Sequence, residues 1–255
     1  MFDYEISIIG SGNVAYQLAK VFSENNLPIV EIISRNRVEG EKLSKLYNLH
    51  FQSHVQSYKP LGHIVILAVA DDAIAPIAQQ IDANGKIVAH TSGMASMHLL
   101  KEASKQYGSF YPLQTFTKNR QVDFQTIPVL IDGSQEEVIK LLSDLAKLIS
   151  KKVHFLKDEK RSELHLAAVL VNNFSNHLFT LAEDYCKIND LDFSILHPLI
   201  LETAHKSILD SPKLIQTGPA KRNDKKTIKK HLSHISDETL KKIYLLFTES
   251  IQKMY

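Results

Sequence analysis

The sequence predicts an α/β fold with a doubly wound, mostly parallel sheet over residues 1–156, followed by an all-α segment over 157–255. Three observations carry this reading. Short apolar, β-branched runs recur at 4–9, 29–33, 64–69 and 86–90, and residues between them show helical spacing. The run 64–69 (IVILAV) is apolar throughout, as a parallel strand covered on both faces requires. After about residue 157 the strand signal stops and helical periodicity alone remains. Strands alternating with helices imply right-handed crossovers and a parallel sheet.

In order, the first strand (4–9) ends at Gly10 and Gly12, a tight turn. Val14, Leu18, Val21 and Phe22 then mark a helix over 13–25, ending at Asn25-Asn26. The pattern continues with strand 29–33, helix 37–47, strand 64–69, a helix from Asp71 to about Ile81, strand 86–90 and a helix near 95–106. Strands near 108–111 and 127–131, a helix at 135–149 and a strand near 152–156 complete the half. The second half predicts helices at 159–186, 193–210, 224–234 and 237–253, with a polar junction at Lys157-Asp158-Glu159-Lys160-Arg161.

Composition narrows the function classes. A 44% hydrophobic and 23% charged chain is an ordinary globular mixture, and a net charge of +2 offers no strong field for nucleic acid or a membrane surface. One cysteine, Cys186, fits a reducing compartment, and no apolar run approaches a bilayer span. The opening residues MFDYEISIIG carry an acid in place of a basic n-region and run straight into a strand, so no signal peptide is expected. The expectation is a cytoplasmic protein with a small-molecule substrate, no nucleic acid, no membrane and no metal.

The turn Gly10-Ser11-Gly12-Asn13-Val14-Ala15 joins a strand to a helix. In that context its residue types have a job: Gly10 allows the turn, Gly12 lets backbone approach a diphosphate, and Ala15 keeps helix close to strand. The helix N-terminus then offers free N–H groups and a positive dipole end to phosphate. This is a Rossmann-type dinucleotide site. After the second strand, where an acid would bind the ribose 2′-hydroxyl of NAD, stand Ser34-Arg35-Asn36. A guanidinium welcomes a 2′-phosphate that a carboxylate would repel, so the cofactor expected is NADP(H).

Ligands of such sheets lie beyond the carboxyl ends of the strands. The loops there are Ala70-Asp71-Asp72, His90-Thr91-Ser92-Gly93 and Tyr111-Pro112-Leu113-Gln114. Ala70, Asp71, Thr91 and Ser92 are candidate cofactor contacts and Gln114 a substrate contact; helix capping by Asp71 or Asp72 and turn chemistry at Ser92-Gly93 are the bland alternatives. In the long helix, His165, Asn172, Asn176 and Glu183 fall within roughly 20° of the His165 direction at about 100° per residue. Asn is a poor mid-helix residue, so Asn172-Asn173 reads as a concession to substrate binding, or else to a buried hydrogen-bond network between helices or a dimer seam. Within Thr217–Asp224, Asn223 suits a left-handed turn, Asp224 a helix cap, and Arg222 an anionic substrate group. The nearby lysines lack stacking aromatics and read as a solvated face.

The chain resembles Rossmann-fold NADP oxidoreductases with a helical C-terminal domain of unknown function. These are relatives of pyrroline-5-carboxylate reductase, ketopantoate reductase and the 6-phosphogluconate and 3-hydroxyacid dehydrogenases. The matching pieces are GSGNVA at 10–15, VADDAI at 69–74, HTSG at 90–93, YPLQTF at 111–116, HLAAVLVNNF at 165–174 and TGPAKRND at 217–224. The resemblance implies a C-terminal domain like that of 6-phosphogluconate dehydrogenase, commonly a homodimer interface. Two departures stand out. Ala168 and Val169 occupy the place of the hydroxyacid dehydrogenases' helical Lys, and Asn223 stands where Gly is usual.

The expected activity is NADPH-dependent reduction of a small C=O or C=N substrate. His165 is the first candidate general acid and His90 the second. Asn172, Asn173 and Asn176 would orient substrate. The alternatives are a non-catalytic NADP-binding sensor and a deazaflavin-dependent reductase.

Overall fold

The computed structural model describes residues 3–255. The strands are β1 (Ile6–Ile9), β2 (Ile29–Ile33), β3 (His50–Gln52), β4 (Ile64–Leu67), β5 (Ile87–His90), β6 (Gln106–Pro112), β7 (Val129–Gly133) and β8 (Val153–Phe155). They form one sheet in the order β3-β2-β1-β4-β5-β6-β7-β8. The helices α1 (Asn13–Glu24), α2 (Arg37–Leu46), α3 (Asp71–Gln80) and α4 (Glu136–Lys147) connect them. All neighbouring strands run parallel except β6 and β7. Only a short 3₁₀ turn at Phe124–Thr126 lies between those two, so the chain has no crossover helix and returns antiparallel.

β1, β4 and β5 are buried at every position, and cores lie on both faces of the sheet. One joins Leu18, Phe22, Phe110 and Leu142; the other joins Leu67, Ile74, Val88 and Leu100. Glu31 is a fully buried carboxylate on β2. It accepts from Ser7 Oγ, Tyr58 Oη and the Leu61 N–H, each at 2.6 Å, which satisfies the charge. The order reverses between β1 and β4, and the carboxyl ends of these strands open onto the Gly10–Ala15 turn.

The expected order of elements needs one correction and one addition. The helix expected near 95–106 is only a 3₁₀ turn at Met97–Leu100, because polar groups of residues 95–97 are held by the side chains of Asp158 and Arg161. The sequence gives no sign of β3, which at three residues is too short to show a period.

The chain forms two compact units, one through Asn172 and one from Asn173 to Tyr255. The helix α5 (Asp158–Val169) goes with the first. A π-helical turn, Leu170–Phe174, separates α5 from α6 (Ser175–Ile188). A π turn widens the helix and shifts the angular phase of the residues beyond it. The polar stripe from His165 through Asn176 to Glu183, drawn at a constant period, is therefore not continuous. Asn172 and Asn173 lie inside the π turn, which accounts for residues that suit a regular helix poorly.

The second unit holds α6, α7 (His197–Leu209), α8 (Pro212–Ile215), α9 (Lys225–His234) and α10 (Glu238–Met254). Asn223 has a φ of 52°, and Asp224 caps α9 by accepting from the Thr227 N–H at 3.0 Å. Among the described residues, no helix is long and apolar enough to cross a membrane.

Candidate functional site

The glycine turn has the features a diphosphate needs. Gly10 has a φ of +129°, and a Cβ there would strike the Ala68 carbonyl, so only glycine lets β1 turn this tightly. Gly12 is exposed and has nothing within 4 Å of where its Cβ would stand: the space before it is open. It is the N-cap of α1, and no side chain caps the helix. The first intrahelical bond is Tyr16 N–H to the Gly12 carbonyl at 2.9 Å, leaving the N–H groups of Asn13, Val14 and Ala15 for a ligand.

Beside the turn, Ser11 Oγ and Ser34 Oγ lie 2.8 Å apart, linking it to the end of β2. Arg35 comes next, exposed. Asn36 caps α2, its side-chain oxygen accepting from the Glu39 N–H at 3.1 Å. Ala70 is the N-cap of α3, with Asp71 and Asp72 exposed in its first turn; neither carboxylate caps the helix, contrary to the capping expectation. The open glycine backbone could hold a diphosphate, and the exposed Arg35 a ribose phosphate.

At the carboxyl ends of β5 and β6 lies a second cluster, much of it buried. His90 is fully buried; its Nδ1 accepts from the Ser92 N–H at 3.2 Å, so the neutral ring carries its hydrogen on Nε2. That Nε2 has no partner among the described residues. Burial, with the nearby charge of Arg161 and against the pull of Asp158 and Asp71, pushes the His90 imidazole down to about 4. His90 is thus a neutral N–H donor near pH 7. Thr91 Oγ1 donates to the Leu67 carbonyl at 3.3 Å, and Ser92 Oγ accepts from the Met94 and Ala95 N–H groups at 3.0 and 2.8 Å. The hydroxyls of Thr91 and Ser92 are therefore engaged in shaping their own loop.

The residue that organises this cluster is one that sequence reasoning misses. Arg161 is completely buried on α5. Its Nη1 donates to Asp158 Oδ1 at 2.7 Å and to Ser109 Oγ at 2.8 Å, and its Nη2 donates to the Ala95 carbonyl. Ser109 pairs in register with His90 across the parallel ladder, so the guanidinium lies beside the imidazole. Asp158 in turn accepts from Ser96 Oγ at 2.6 Å and the Met97 N–H at 2.8 Å. Burial would raise the Asp158 carboxyl, but the Ser96 hydrogen bond, the Arg161 charge and the Met97 N–H outweigh it and hold it below the usual range. Asp132, buried and close to Asp158, is pushed up. The one sequence signal is the Asp158–Arg161 spacing of one helical turn, inside a run that reads as a solvated junction.

Above this network, the Tyr111 hydroxyl lies 3.0 Å from His165 Nδ1. The rings meet edge to face with centroids 5.9 Å apart. A Cβ on Gly93 would come within 2.7 Å of His165 Cγ and 3.0 Å of Tyr111 Cζ, so glycine is what lets the 90–93 loop pass beneath the pair. Gln114 is exposed, its Oε1 accepting from the Thr115 N–H at 2.8 Å. Asn172, Asn173, Asn176 and Arg222 are exposed. Among the described residues, no group of three or more His, Cys, Asp or Glu converges on a metal position.

The His90 imidazole gives a pH prediction. Its folded value lies below its unfolded value of about 6.5, so its stabilising contribution is complete above that pH and is lost as pH falls toward 4. The full effect is ~3 kcal/mol, at about 1.4 kcal/mol per unit. Thermal melts of the wild type should fall between pH 6.5 and 4 more steeply than those of His90→Asn. Parallel curves would contradict the buried neutral ring.

The sequence matches two family profiles: NADP oxidoreductase coenzyme F420-dependent over residues 5–92, and a domain of unknown function, DUF2520, over 127–251. A comparison with curated proteins finds no match. Among solved structures, a Bacteroides fragilis protein assigned as an NADP oxidoreductase is 35% identical, with a TM-score of 0.92 and 99% of each chain covered. Pyrroline-5-carboxylate reductase from Streptococcus pyogenes shares the fold at 11% identity and a TM-score of 0.64, with 98% of each chain covered. So does the reductive aminase of Aspergillus terreus in complex with NADPH and ethyl-5-oxohexanoate, at 15% identity and a TM-score of 0.61, over 81% of this chain and 75% of that one. At 35% identity over essentially the whole length, the chain belongs to the NADP oxidoreductase family that the Bacteroides fragilis protein represents.

Proposed function

We propose that this NADP-dependent oxidoreductase reduces a small C=O or C=N substrate, with His165 as the general acid. The observation that carries the reading is the pairing of His165 with Tyr111 at the same carboxyl edge of the sheet as the open glycine turn. NADP(H) is the cofactor and supplies the hydride. The chain's part is to hold the diphosphate on the N-terminus of α1, to accept the 2′-phosphate at Ser34 and Arg35, and to deliver a proton. His90 is buried and neutral near pH 7, so it carries no imidazolium proton to give, which leaves His165 as the acid.

Substrate class is supported by the reductive aminase, whose structure was solved with NADPH and a ketone ester, and by the imine chemistry named in pyrroline-5-carboxylate reductase. The test is loss of NADPH absorbance against oxo-acids, ketones with amines, and cyclic imines. One family profile names coenzyme F420, so that deazaflavin belongs in the panel as a hydride acceptor. Turnover that survives His165→Gln unchanged contradicts the acid assignment; tight NADPH binding with no consumption favours a sensor.

The helical unit supports a homodimer. Its buried residues are Cys186, Ala220, Ile228 and Thr248, while Ile195, Leu201, Ile208 and Leu214 are each more than 70% exposed. So much exposed aliphatic surface on so small a core calls for a partner surface, and a second copy offers the same chemistry. Sedimentation should give about twice the 28.8 kDa chain mass; a monomer at micromolar concentration contradicts this.

A further inference from the structure

Tyr111 stands at the end of β6 and His165 on α5, and their polar atoms meet at 3.0 Å, with Gly93 closing the space beneath. A phenol oxygen can accept from a protonated Nδ1 and can donate to a bare one, so this contact survives both charge states of the imidazole. Burial, opposed by the Arg161 charge and reinforced by Asp71, raises the Tyr111 phenol above its ordinary value, so it keeps its own proton at neutral pH.

We infer that Tyr111 is the positioning residue of the reaction: it occupies Nδ1 of His165 and leaves Nε2 as the atom that passes the proton to the substrate heteroatom. The inference rests on the reductase reading above. In the step, the carbon of the C=O or C=N bond takes the hydride and its π pair moves to the heteroatom. The heteroatom takes the proton from Nε2 of the imidazolium. Nδ1–H stays bonded to the Tyr111 oxygen, and solvent then returns a proton to Nε2. Tyr111 neither gains nor loses a proton in this step.

The test has a spectroscopic arm and a kinetic arm. Imidazole ¹⁵N resonances are recorded on labelled wild type, Tyr111→Phe and Gly93→Ala, with His165→Gln for assignment. Removing the hydroxyl should move the His165 Nδ1 resonance and leave the other histidines in place. The alanine methyl, forced against the pair, should move it too. With a substrate from the panel, Tyr111→Phe should lower kcat by roughly 10- to 100-fold at unchanged KM for NADPH, a fraction of what a general acid supplies. That loss should vanish in a His165→Gln background, because Tyr111 acts only through His165. An unmoved Nδ1 resonance in both variants, or losses that add in the double variant, overturns the inference. If nothing in the panel is reduced, the reductase reading fails by itself and the Nδ1 resonance alone decides the contact.

Discussion

Replacing Gly12 by alanine should abolish most NADPH binding while leaving the fold intact. Nothing lies within 4 Å of the new Cβ, so the protein has no steric reason to unfold. The methyl would instead stand where the diphosphate approaches the first turn of α1. Losing one or two charge-assisted hydrogen bonds, at about 1.5–3 kcal/mol each, corresponds to at least roughly a tenfold weaker Kd. Gly10→Ala is the control with the opposite signature. There the backbone sits at φ +129° and the Cβ would lie 2.9 Å from the Ala68 carbonyl carbon, so the loss is in stability, by several kcal/mol. Fluorescence titration with NADPH alongside thermal melts separates the two. A Gly12→Ala protein that binds NADPH like wild type would show that the ligand does not use this turn.

The second large effect is at Arg161. Arg161→Met should cost about 3 kcal/mol, the low end of what removing one partner of a buried ion pair costs, because the guanidinium is buried while Asp158 keeps some exposure. The substitution keeps much of the side-chain volume but strips Asp158 of its counter-charge and frees the Ser109 hydroxyl and the Ala95 carbonyl. Asp158→Asn in the same background should restore part of the loss, because the unpaired, half-buried carboxylate is then gone. Chemical denaturation of the three variants checks this. A single-variant loss below about 1 kcal/mol, the range of an exposed pair, would contradict the network. The effect should reach the site as well, since Arg161 and Asp158 hold the 95–97 backbone just beyond His90, Thr91 and Ser92.

These variants also mark what is legible in the sequence. The strands, the glycine turn and the switch from alternating α and β to helix alone are readable, because each rests on local period or on glycine chemistry. IVIL is apolar whichever neighbour it pairs with, and Gly10 is required by its own φ. The features that escape sequence reasoning depend on distant partners. Arg161 sits in a run of charges that reads as solvated, and only the approach of Ser109 and Ala95, 52 and 66 residues away, makes it internal. The expected helix near 95–106 has plausible spacing, but its first polar groups are bound by α5 and the segment closes into a 3₁₀ turn. The stripe on the long helix assumes one constant period, and the π turn at Leu170–Phe174 breaks it. In the YPLQTF motif polarity draws attention to Gln114, whereas the residue that touches His165 is Tyr111.

The central claim is that the Gly10–Ala15 turn and the Ser34-Arg35 pair bind NADP in preference to NAD. Calorimetry of the purified wild type with NADPH and NADH tests it most directly. The account predicts a saturable heat with both, and at least roughly tenfold tighter binding of NADPH, the worth of one charge-assisted hydrogen bond to the 2′-phosphate. Tighter binding of NADH would contradict the role of Arg35, and no heat with either nucleotide would contradict the site itself.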